Sequence, residues 1–184
     1  MGERSGINSI LFSIVGWGAL VFSGIGFLCT DAFAASPTIR ISNLSDITIS
    51  NWITGDSDII QDVDVCVYKE DVTLSNRNYD LMATGDGPGF ILKNGSYNLP
   101  YSVFWYDGGE GNPGGGSTHA LTSASQVTSL HNSRIDTDVP TSSNDCNVGA
   151  VPTARFRVKI LATDLDAVPE GTYTGQLSVV VAPE

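Results

Sequence analysis

Residues 154–162, ARFRVKILA, alternate without a slip. Ala154, Phe156, Val158, Ile160 and Ala162 take one parity, and Arg155, Arg157 and Lys159 take the other. A helix would scatter both sets around its axis, whereas an extended chain sends them to opposite faces. The stretch reads as a strand with one dry and one wet face, as in an antiparallel sheet packed on a core. The same period returns elsewhere. Val63, Val65 and Val67 alternate with Asp62, Asp64 and Cys66, and Tyr173, Gly175, Leu177, Val179 and Val181 alternate with Thr172, Thr174, Gln176 and Ser178. Shorter alternations begin at Ile39, Ile47, Tyr79, Phe90 and Tyr101. Turn residues separate them: Gly85 to Gly89, the hairpin signal Asn94-Gly95, and Pro169-Glu170-Gly171. No segment after residue 34 carries a helical period, and TDLDAVPEG (163–171) reads as a loop. Seven or eight short strands without helices predict an all-β chain, an immunoglobulin-like β-sandwich. Cys66 sits on the parity opposite the valines, which requires either a bulge or a strand buried on both faces.

The first 34 residues differ in kind. Glu3 and Arg4 precede an apolar run from Ile10 to Leu28, and Ala32-Phe33-Ala34 follows it. A short polar start, an apolar stretch and a small-x-small end mark an export signal, with cleavage expected before Ala35. An uncleaved anchor is the alternative, because the run approaches the ~20 residues a membrane span requires. Ser13, Gly16, Gly18, Ser23, Gly24 and Gly26 dilute it, however, and no basic cluster follows. Cys29 is preceded by Phe27 and Leu28 rather than the small residues that usually lead a lipidated cysteine. The expected organisation is a signal peptide, 1–34, and one domain, 35–184, with no stable membrane anchor after cleavage.

Charge and cysteines narrow the function. Removing Arg4 from the 9 basic residues, and Glu3 and Asp31 from the 20 acidic ones, leaves 8 and 18, a formal charge of −10 for residues 35–184. An acidic domain with isolated cations is a poor match for nucleic acid or an anionic membrane surface. Cys66 and Cys146 are the two cysteines left after cleavage, and in an exported protein they are expected to form one disulfide. Its loop of about 80 residues is worth on the order of 4 kcal/mol in the chain-entropy model.

Motifs for chemistry are sparse. His119 and His131 are the only histidines, both in polar stretches that read as surface, and no Gly-x-Ser-x-Gly elbow or metalloprotease helix accompanies them. The pairs Asp56/Asp58, Asp62/Asp64, Asp136/Asp138 and Asp164/Asp166 could gather oxygen ligands for calcium, but none extends to a D-x-D-x-D-G loop closed by glutamate. Solvated acids on outer faces explain them as well. The Gly-rich stretch 108–117 lacks the Lys-Ser/Thr ending of a phosphate-binding loop and is expected to be a mobile connection. Phe104, Trp105 and Tyr106 could stack on a sugar or peptide, although aromatics in a central strand are usually core. The expectation is a protein that is not an enzyme and takes no cofactor or metal.

An export signal, a cysteine on an early strand (VDVCVY), a Gly-rich middle, a second cysteine and the closing GTYTGQLSVVV together resemble the secreted subunits of bacterial chaperone–usher pili. The likeness is to the archaic branch, which shares a domain with spore coat protein U, and Gly171 to Val181 is its most specific part. The resemblance implies a sandwich lacking its last strand. A periplasmic chaperone caps the open groove, and then another pilus subunit's N-terminal extension fills it, with assembly at an outer-membrane usher. Recognition is β-augmentation: main-chain hydrogen bonds supply affinity and alternating side chains set register. Carried onto this sequence, the donor-strand candidates are Ile39, Ile41, Ile47 and Ile49, within about 37–50. The groove or core candidates are Val158, Ile160, Tyr173, Leu177, Val179 and Val181. The implied function is a structural subunit of a surface pilus that supports adhesion or biofilm formation. After cleavage only Ala35 to Thr38 precede Ile39, shorter than the usual extension. Two partners for the closing strand therefore stay open: the chain's own Ile39–Ile49 segment, or the same segment of a neighbour. The alternative function is a self-complete secreted sandwich or tip adhesin that grips a glycan or host protein through loops 107–118 and 131–147.

Overall fold

A computed structural model of the chain describes residues 6–17, 38–70, 77–131, 133–136, 146 and 149–184. In chain order the strands are β1 (Gly6–Trp17), β2 (Thr38–Ser42), β3 (Ile47–Ile53), β4 (Ile59–Glu70), β5 (Tyr79–Gly85), β6 (Ile91–Asn94) and β7 (Tyr97–Pro100). They continue with β8 (Ser102–Tyr106), β9 (Thr118–Ala120), β10 (Gln126–Leu130), β11 (Arg134–Asp136), β12 (Ala154–Ile160) and β13 (Thr172–Pro183). Among the described residues one short α-helix, α1 (Ala162–Asp166), corrects the reading of 163–171 as loop throughout. Five residues are too few to register as a helical period. Its start is held by Asp58, whose Oδ1 accepts a 2.9 Å hydrogen bond from the Ala162 amide, and Leu165 plugs into the core.

Two sheets form the sandwich. One runs β10-β5-β13-β1-β3, with the β6–β7 hairpin attached to β13; the other runs β11-β4-β12-β8-β9, with β2 on β4. The hairpin turns where Asn94-Gly95 signalled it, with Gly95 at φ 58°, a left-handed conformation that glycine adopts at no steric cost. Between the layers lies one contiguous core. β13 contributes Tyr173, Leu177, Val179 and Val181; β12 contributes Ala154, Phe156, Val158 and Ile160; and β4 contributes Val63, Val65 and Val67.

The wet face of β12 is an ion ladder. Arg155 stands beside Asp64 and Arg157 beside Asp62 in the β4–β12 register. Arg157 Nε and Nη2 donate to the two Asp62 oxygens at 2.6 and 2.8 Å, and its guanidinium lies 5.3 Å from the Tyr106 ring centroid. Lys159 reaches Asp58 at 2.9 Å. These aspartates are thus engaged with cations, and among the described residues no group of three or more His, Cys, Asp or Glu is arranged to hold a metal. Asp138 lies outside the described residues.

Of the two explanations for Cys66, the structure takes burial on both faces. Val65 to Lys69 are all buried, and Cys66 is bonded to Cys146, with 5.6 Å between their Cα atoms. Lys69 escapes isolation by donating from Nζ to the Glu184 carbonyl oxygen at 2.7 Å, which ties β4 to the end of the chain beyond β13.

Candidate functional site: a strand position between β13 and β3

β13 meets partners on both of its edges. Along one, Leu177 to Pro183 run antiparallel to Gly85 to Tyr79 of β5, and Thr174 pairs with Lys93 of β6. Along the other, Thr172 to Val180 run parallel to Ser9 to Trp17 of β1. β1 then pairs antiparallel with β3, Gly6 opposite Ile53 through Phe12 opposite Ile47. β3 has no other strand partner among the described residues, so it belongs to its sheet only by way of β1. One strand position, bounded by β13 and β3, completes the layer.

The borders of that position are dry on the inside and wet on the outside. On β13, Tyr173, Leu177 and Val179 are buried while Thr172, Thr174 and Gln176 are exposed. On β3, Ile47 and Trp52 are buried, Ile49 is half-buried, and Thr48 and Ser50 are exposed. Leu11 of β1, 41% exposed, stands in register with Thr174 and Thr48 and so marks the outer face. The alternate positions follow from the two-residue period of a strand. Ile10, Phe12, Ile14 and Gly16 hold the register positions beside Tyr173, Gly175, Leu177 and Val179, with Ile49 and Ile47 flanking Ile10 and Phe12 from the other side.

Gly175 shapes the middle of the site. A Cβ there would stand 2.7 Å from Leu92 Cδ2 and 3.0 Å from the Ile91 carbonyl oxygen, so a side chain at this position would require Leu92 and the β6 backbone to shift. Tyr173 is anchored at one end, its hydroxyl donating to the Pro169 carbonyl at 2.8 Å; burial pushes its ionisation upward.

The structure separates the residues singled out from sequence. Tyr173, Leu177 and Val179 border the position, whereas Val181 lies just beyond β1 and pairs with Leu81. Val158 and Ile160 are fully buried but lie on β12, in the facing sheet, so they belong to the common core rather than the border. The donor-strand candidates within about 37–50 lie on two strands of this chain. Ile39 and Ile41 are in β2, paired with Lys69 and Val67 of β4, and Ile39 is 2% exposed. Ile47 and Ile49 are in β3, opposite Phe12 and Ile10 of β1. Within this chain the closing strand pairs with residues 9–17 rather than with the chain's own Ile39–Ile49 segment. The sequence signal was present but faint. Ile10, Phe12, Ile14 and Val15 are strand-favouring types, yet Leu11 and Val15 fill the other parity and erase the alternation.

The other polar cluster is a loop clamp. Asp107 is buried, and its carboxylate accepts from the Ser117 amide at 2.9 Å and the His131 amide at 3.1 Å, with His119 Nε2 3.6 Å away. With the Gly109 amide donating to the Thr153 carbonyl at 2.8 Å, the Gly-rich stretch expected to be mobile is instead pinned as a series of turns. His119 is half-buried rather than on the open surface, while His131 is exposed and shares a 2.8 Å hydrogen bond with Asn78. Trp105 is core: its Nε1 donates to the Tyr79 hydroxyl at 2.9 Å, and burial raises the ionisation of that phenol. No described helix is long and apolar enough to cross a membrane.

No family model matches the chain, and no curated protein matches it. It is similar to a chain of a solved chaperone–tip adhesin complex concerned with CFA/I fimbriae biogenesis, at 17% sequence identity and a TM-score of 0.49. The match covers 79% of this chain and 41% of that one, so the chain spans about two fifths of the length of the protein it is similar to.

Proposed function

We propose that the chain is an exported subunit of a surface pilus, non-enzymatic, whose sandwich is completed by a strand that the processed domain does not itself supply. The observation that carries this reading is that, among the described residues, β3 is attached to its sheet only through residues 6–17. If export removes residues 1–34, the Thr172–Val180 edge of β13 and the facing edge of β3 both lose their partner. Unpaired edges over an apolar core attract other chains, so a subunit in that condition needs a chaperone until a permanent strand arrives. A periplasmic chaperone, an outer-membrane usher and further pilus subunits are the partners this requires, and the cell surface is the destination. The resemblance of Gly171–Val181, most of which lies along this edge, to the closing strand of archaic chaperone–usher subunits supports the same reading.

Export of the full chain to a bacterial periplasm without partner proteins, followed by gel electrophoresis without boiling, tests it. The expected result is processed protein that forms detergent-resistant multimers or is degraded, and that is recovered as a soluble heterodimer when a cognate chaperone is co-expressed. A processed chain that accumulates as a lone, stable monomer would overturn the proposal and favour a self-complete domain.

A further inference from the structure

A chain can give a strand to another molecule only from a segment that its own domain does not hold. We infer that the processed domain has no such segment at its N-terminal side: it receives a strand there and has none to give, so its donor is a different polypeptide rather than a second copy. A domain that only receives ends the fibre it joins. The inference rests on the donor-strand reading above and adds to it the kind of partner the site takes.

Length, packing and topology carry it. The edge to be filled runs over the nine residues Thr172 to Val180, about 30 Å of strand. Cleavage before Ala35 leaves Ala35, Ser36 and Pro37 ahead of β2, about 10 Å when fully extended. A longer donor would have to include β2, and β2 is held at home. It pairs along its whole length with β4, Thr38 opposite Glu70 through Ser42 opposite Cys66. Ile39 is buried in the core, and Ile41 packs against that core. At the far end the Ser42 hydroxyl accepts from the amide of Cys146, which is bonded to Cys66, at 3.2 Å, and Asn43 Nδ2 donates to the Asp64 carbonyl at 2.7 Å. β3 is tied on both sides. It lies between β2 and β4, two strands paired with each other, so residues 43–58 cannot extend away from their own domain. Trp52 of that segment is buried, and its Nε1 donates to the Ser57 carbonyl at 3.1 Å. Ile39, Ile41, Ile47 and Ile49 are therefore kept by the domain that carries them, and a second copy, held in the same way, has nothing to insert.

The test exports the full chain with a cognate chaperone and purifies the processed heterodimer. Incubated alone, the heterodimer is expected to give no detergent-resistant multimers on a gel run without boiling, and for the chain exported without a chaperone the expected fate is degradation rather than multimers. Hydrogen exchange at the 38–42 amides of the heterodimer should be slowed roughly a hundredfold or more relative to the unfolded chain. Ile39→Asp should lower the yield of heterodimer about tenfold or more, because it places an unpaired charge in the domain's own core. Arg40→Asp, at an exposed position of the same strand, should leave the yield within about twofold. A ladder of copies from the heterodimer overturns the inference and leaves the donor-strand reading standing, with a subunit that donates to itself. Free exchange at 38–42 also overturns it, as does full yield of the Ile39→Asp heterodimer, since a segment waiting to be given contributes nothing to its own fold. A chain that accumulates as a stable monomer without any chaperone removes the donor-strand reading instead, so the two failures are told apart.

Discussion

Asp62 shows how one outer-face carboxylate contributes. The two-pronged hydrogen bond from Arg157 is the largest influence on it and outweighs the opposing effect of partial burial, so its carboxyl is held below the ordinary value of 3.8. Asp58 is lowered in the same direction, first by the Ala162 amide and then by Lys159. A carboxylate whose folded pKa lies below its unfolded one contributes stability above the unfolded value, and that contribution is lost as pH falls through the folded value. Asp62→Asn should therefore cost roughly 1 kcal/mol or less at neutral pH, as exposed ion pairs do. The gap to the parent should close as melting curves are taken from pH 5 down towards pH 2, and should shrink in high salt. A gap that is constant over that range would place the effect in packing rather than charge. The partnership itself was half legible in the sequence: alternation put Arg155 and Arg157 on a wet face, but only the register supplied Asp62 and Asp64 as their partners.

At the scale of the element, β13 is the strand on which the site depends. Its pattern of buried Tyr173, Leu177, Val179 and Val181 was readable residue by residue, because strand period is a local property. Gly175 was readable only as a gap in that pattern. The structure explains it: β6 crowds that point of β13, and Leu92, the nearer neighbour, is fully buried in the core. Gly175→Val should destabilise the domain by about 1–3 kcal/mol, as overpacking of a filled core does, and lower its melting temperature by several degrees. Because Gly175 is also in register with Phe12, the same substitution is expected to weaken protection of the β1 amides in hydrogen exchange more than those of β9, which lies in the other sheet. The brief helix α1 went unread for the opposite reason: its five residues are set by the Asp58 cap and by Leu165 reaching the core, not by any repeat.

For the whole molecule, the links that join distant parts matter most. The Cys66–Cys146 bond spans a sequence separation of 80, and Lys69 joins β4 to the Glu184 carbonyl. Replacing both cysteines by alanine should cost on the order of 4 kcal/mol by the loop-closure argument, or roughly 10 °C in melting temperature for a domain of this size. Calorimetry of the double variant beside the parent, with and without reductant, checks this, since reductant should shift only the parent. The all-β class, the sandwich, the wet and dry faces of β4, β12 and β13, and the turn at Asn94-Gly95 were all written locally, in alternation and turn chemistry that act over a few residues. Which strands stand side by side was not. The pairing of residues 9–17 with 172–180 joins the two ends of the chain, and no local period encodes a neighbour that far away. The apolar run that reads as a leader is also apolar enough to close a sheet. Only the three-dimensional arrangement, with β13 and β3 standing one strand apart on either side of residues 6–17, decided that it does so.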